Sequence, residues 1–69
     1  MTITDAVLAA YRKNKQAAFG DMAVLYEEVI RLLGYKPNPG SVYRLGLRHR
    51  QYGLNCWKGG SDYAQFQSD

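Results

Sequence analysis

The chain has 69 residues, a formal net charge of +3, one cysteine and one histidine. That length suits one domain with a modest core, and 46% apolar residues suit a folded chain over a disordered one. Cys56 alone cannot make an internal disulfide, and one Cys with one His excludes a Cys/His metal cluster, so no metal and no cofactor is expected.

No apolar run approaches the roughly 20 residues of a membrane span. The opening Met1-Thr2-Ile3-Thr4-Asp5 lacks the basic start and long apolar core of a secretory signal. The expectation is a cytoplasmic protein with no membrane partner.

The first helix is predicted from about residue 5 to residue 14, with Thr4 as N-cap and Asp5 favourable in the first turn. Ile3, Val7, Ala10 and Tyr11 recur at helical spacing and define its apolar face. Gln16 to Gly20 read as a connector. A second helix is predicted over 21–33, with Asp21 as N-cap. Its apolar stripe is Met22, Leu25, Tyr26, Val29, Ile30 and Leu33. Glu27 and Glu28 are read as pointing away from that stripe, with Glu27 able to pair with Arg31 at i+4. Gly34 suits the end of this helix, and Pro37 prevents its continuation.

Asn38 and Pro39 predict a helix start, with Pro39 where its missing N–H costs nothing. The third helix is predicted over 39–52. At 100° per residue, Val42, Leu45, Gly46, His49 and Tyr52 share an inward side, while Arg44, Leu47, Arg48 and Gln51 share the outward one. The remainder reads as a hairpin, 54–58 pairing with 62–66 through a Gly59-Gly60-Ser61 loop. That register sets Leu54, Cys56, Ala64 and Phe66 on one apolar face. It pairs Trp57 with Tyr63 on the other. The whole is one α+β domain over 1–69: three helices followed by a C-terminal β-hairpin.

The charge is unevenly placed. Between Lys36 and Ser61 stand five basic residues, Lys36, Arg44, Arg48, Arg50 and Lys58, and no acidic one. A positive field of this kind suits a polyanion partner, or serves only as a solvated face. Catalysis is not expected. His49 and Cys56 both map to the apolar side, adjacent Glu27 and Glu28 diverge by about 100° around the helix, and no phosphate loop or nucleotide fingerprint is present.

A basic helix from Ser41-Val42-Tyr43-Arg44 to Gly53-Leu54, followed directly by a Gly-rich hairpin, resembles the winged helix-turn-helix family. The similarity is to its small phage and prophage members, and it spans nearly the whole chain. The resemblance implies a transcriptional regulator that binds double-stranded DNA, with the third helix in the major groove and the hairpin as a wing against the backbone or minor groove. On that reading Arg44, Arg48 and Gln51 reach base edges. Ser41 and Tyr43 contact phosphate near the helix start, helped by free N–H groups there. Arg50 and Lys58 neutralise phosphates.

Each has a plainer reading: Arg44 and Arg48 as a solvated i, i+4 pair, Tyr43 as a packed ring, Lys58 as a surface partner of Asp62. Leu47, Trp57 and Tyr63 define a second reading, an interaction module that binds and inhibits a host enzyme or transcription component. Trp57 and Tyr63 serve equally as a cover over the end of the domain against the first helix. With no spare helix for dimerisation, a monomer is the default and a homodimer the alternative.

Overall fold

The computed structural model of the protein describes residues 1–57. They form five helices: α1 (Ile3–Lys13), α2 (Lys15–Ala18), α3 (Met22–Leu33), α4 (Pro39–Arg48) and α5 (Arg50–Cys56). No strand occurs among the described residues. The expected α+β fold with a hairpin is therefore corrected to an all-helical one. Leu54 and Cys56, assigned to the first strand, lie in the last turn of α5. Lys58 and the expected second strand, 62–66, lie outside the described residues.

The helices begin where local chemistry dictates. Thr2, not Thr4, caps α1: its hydroxyl accepts from the Asp5 N–H at 3.1 Å while the Asp5 carboxylate accepts from the Thr2 N–H at 3.3 Å. This reciprocal box satisfies two otherwise orphaned donors. Asn14 ends α1 and at once caps α2, its side chain accepting from the Gln16 N–H at 2.9 Å. The expected connector over 16–20 is thus largely a single helical turn. Asp21 caps α3 through the Val24 N–H, and Gly34 ends that helix at φ 83°. The link to α4 is pinned where the Tyr26 hydroxyl donates to the Pro37 carbonyl at 2.7 Å.

α1 is the hub and touches all four other helices. Ala6, Val7, Ala10 and Tyr11 are buried with Ala17 and Ala18 of α2, Leu25 and Val29 of α3 and Val42 of α4. Small residues on α1 and α2 allow close approach, so one short helix serves as the common floor.

Tyr11 organises the other side of the molecule. Its hydroxyl donates to the Gly46 carbonyl at 2.8 Å, the acceptor that an unbroken helix would offer to residue 50. A Cβ on Gly46 would stand 3.0 Å from the Tyr11 oxygen, and one on Gly53 would stand 3.0 Å from the Tyr11 ring. A side chain at either glycine would have to push Tyr11 or its neighbours aside by a few tenths of an ångström, so glycine suits the close approach of α4 and α5 to this side chain. The chain turns between them at His49, φ −105° and ψ 20°, so the helix expected over 39–52 is two helices. Gly53 takes the inward place expected of Tyr52. Tyr52 is instead exposed, and its hydroxyl accepts from Arg12 at 2.7 Å. Trp57 closes the end, donating its indole N–H to the Tyr11 carbonyl at 2.7 Å. Among the described residues no helix is long and apolar enough to cross a membrane.

Candidate nucleic-acid interface

α4 starts with its own donors already engaged. Asn38 Oδ1 accepts from the N–H groups of Gly40 at 2.8 Å and Ser41 at 3.3 Å, and Pro39 has no N–H to offer. The free N–H groups expected to assist phosphate binding near Ser41 and Tyr43 are therefore capped from within. A phosphate at Ser41 would meet its hydroxyl only.

Beyond the cap, α4 is held to the core by Val42 and Gly46, both buried, with Leu45 half-buried between them. Tyr43, Arg44, Leu47 and Arg48 are exposed. Arg44 and Arg48 stand one turn apart, about 6 Å along the axis. With Ser41, Leu45, Leu47 and Ile3 of α1 they line an open depression of about 760 Å³. A second depression of about 340 Å³ lies on the other flank of α4, between Phe19 and Met22 on one side and Tyr43, Leu47 and Arg50 on the other. Leu47, 52% exposed, borders both.

Arg50 and Gln51 follow the turn at His49 and belong to α5, not to the helix that carries Arg44 and Arg48. Gln51 is exposed and its amide donates to Asn55 Oδ1 at 3.1 Å, along its own helix. It lines neither depression, so the arithmetic that set it beside Arg44 and Arg48 does not survive the break. Trp57 is half-buried against α1 and its N–H is engaged there. Lys58 and Tyr63 lie outside the described residues.

Electrostatics divides the molecule. Glu28, read from sequence as pointing away, is 6% exposed. Its Oε2 accepts from Asn14 Nδ2 at 3.3 Å and Arg31 at 3.2 Å, and Lys13 stands 3.6 Å from its Oε1. Arg31 also reaches Glu27 at 3.9 Å, the expected i+4 pair. By contrast, Arg44, Arg48 and Arg50 pair with no carboxylate among the described residues. Nor does any Asp or Glu among the described residues line either depression. The described residues hold no group of three or more His, Cys, Asp or Glu placed to bind a metal. His49 and Cys56 are both half-buried.

Sequence reasoning missed Phe19, which is 52% exposed at the end of α2, with Lys15 Nζ 5.7 Å from its ring centroid. An aromatic residue directly before Gly20, in a stretch read as a connector, was the available signal. Comparison of the chain with family models, with curated proteins and with solved structures finds no match.

Proposed function

We propose that the protein is a small double-stranded-DNA-binding regulator that presents α4 to the major groove. The observation that carries this reading is the grouping of three exposed arginines without carboxylate partners, among the described residues, on α4 and the first residue of α5. Lys13 and Arg31 are tied to Glu27 and Glu28, whereas Arg44, Arg48 and Arg50 are exposed and unpaired among the described residues. A helix about 10–12 Å across with its side chains suits a major groove about 12 Å wide. Arg44 and Arg48 are the groove-facing candidates and, on a duplex of mixed sequence, meet the phosphates that line the groove, with Ser41, Tyr43 and Arg50 flanking them. The wing plays no part in this reading, since Leu54 and Cys56 are helical.

The test is a gel-mobility titration of a mixed-sequence duplex at low salt. Wild type is expected to shift the duplex, and replacing Arg44 and Arg48 together by Ala is expected to weaken binding at least tenfold, since phosphate contacts supply most non-specific affinity. No shift at tens of micromolar protein would remove the proposal.

One observation favours a protein partner as the second reading: Leu47 is an exposed apolar ridge between two depressions. A host protein retained by the wild type and lost on Leu47→Asp would support it. Trp57 is not a clean probe here, because its truncation would remove a hydrogen bond to α1.

A further inference from the structure

We infer that the smaller depression beside α4 takes one unpaired nucleobase of a nucleic-acid strand, stacked against Phe19 and Tyr43 with Arg50 facing the adjoining phosphate. This rests on the nucleic-acid reading and extends it from paired to unpaired strands. Phe19 and Tyr43 come from different elements, α2's end and α4, and border one depression with Met22 and Leu47. Both rings are about half exposed, 52% and 49%. At about 340 Å³ the space is at the small end of ligand sites, suited to one flat group and too small for the several anchors of a docked helix.

Charge selects the occupant. Among the described residues, Arg50 is the only charged one lining the depression, and Lys15 stands beside the Phe19 ring. Arg44 and Arg48 continue the positive surface across the Leu47 ridge. An anion carrying a flat aromatic group meets all of these features, and a strand with unpaired bases is such an anion. Aromatic stacking tolerates any base, because each has a π-face.

The experiment measures fluorescence anisotropy of a labelled oligothymidylate and of a mixed-sequence duplex of equal length, at low salt. Phe19→Ala and Tyr43→Ala are each expected to weaken oligothymidylate binding about 5- to 150-fold, the range of losing one base–aromatic stack. Duplex binding by Phe19→Ala, at a residue outside the duplex-facing set, is expected to stay within about twofold. Phe19→Trp is expected to restore the affinity, and Phe19→Leu, which keeps the apolar contact without the ring, is not. Far-UV circular dichroism confirms the fold of each variant. Tyr43→Ala, on another element, carries the test alone where Phe19→Ala loses helix signal.

Duplex binding without oligothymidylate binding would overturn the base site and leave the DNA-binding proposal standing; binding of neither would overturn both. Phe19→Leu binding as tightly as wild type would also overturn the base site. So would a wild-type dimer that Phe19→Ala dissociates in sedimentation, since the depression would then be covered by a second copy.

Discussion

Two corners of this small molecule hold cations in opposite ways. Where α1 and α2 meet α3, Glu28 is buried and gathers Lys13, Arg31 and Asn14 around it. Along α4 and the start of α5, three arginines stand exposed with no carboxylate near them among the described residues. The described helices share one core under both corners, so the difference lies in how the surface charges are partnered. Exposed cations anchored on a buried carboxylate tie helix ends together. Cations left outward cost the fold little and leave a positive surface for something else to neutralise. The first corner serves structure; the second is the one the DNA-binding proposal assigns to a partner.

The comparison can be broken most severely from below. Leu25 is fully buried under both corners. Leu25→Ala is expected to cost about 2–5 kcal/mol, against a total near 3–10 kcal/mol for a chain this size. Chemical denaturation should therefore show a large fall in midpoint or no transition at all. Next, Glu28→Ala should cost about 1–3 kcal/mol by removing the acceptor of several charge-assisted contacts. Its sequence neighbour Glu27 is the control: Glu27→Ala removes one exposed pair at 3.9 Å and should change stability by less than about 0.5 kcal/mol. Equal losses for the two would erase the structural corner.

Tyr11 gives a smaller and pH-dependent effect. Burial raises its pKa above the ordinary 10.0. Because the folded value lies above the unfolded one, the neutral phenol's contribution is complete below pH 10 and is lost as pH rises through the folded value. Wild-type stability, followed by denaturation at alkaline pH, should fall in that window. Tyr11→Phe, about 0.5–1.5 kcal/mol less stable at neutral pH for want of the bond to Gly46, should fall less steeply there. Smallest of all is the expected effect of replacing Arg44 and Arg48 by Ala on denaturation: within about 0.5 kcal/mol for each.

Much of the fold was legible because its signals are local. Asp21 and Asn38 cap the helices they were expected to cap, and Gly34 ends α3 in the left-handed region where glycine is favoured. The apolar stripe of α3 places Leu25 and Val29 in the core. What failed was decided at long range. Alternation in Leu54 and Cys56 before Gly59-Gly60 reads as a strand, yet Tyr11, more than thirty residues earlier, closes on Gly46 and Gly53 and keeps this stretch helical. The third helix is split beside the same contact, which leaves Gln51 on α5 while Arg44 and Arg48 are on α4. Glu28 shows the coarseness of an inside–outside sorting: it lies about 60° around the helix from Leu25, near enough for a neighbouring helix end to cover it. Of the candidate site, Arg44, Leu47 and Arg48 were placed on one exposed face from periodicity alone. Phe19 was not, because nothing local shows that α2 presents it beside Tyr43.

The most direct test of a partner-facing corner is the salt dependence of duplex binding for wild type and for the Arg44→Ala, Arg48→Ala double variant. Each phosphate neutralised contributes about 0.9 to the slope of log affinity against log salt concentration. The expected result is a steep wild-type slope that falls by about 1.8 in the double variant, as for two lost phosphate contacts, with the denaturation curve unchanged. A wild-type affinity indifferent to salt, or an identical slope in the double variant, would contradict the assignment of these arginines to a nucleic-acid partner.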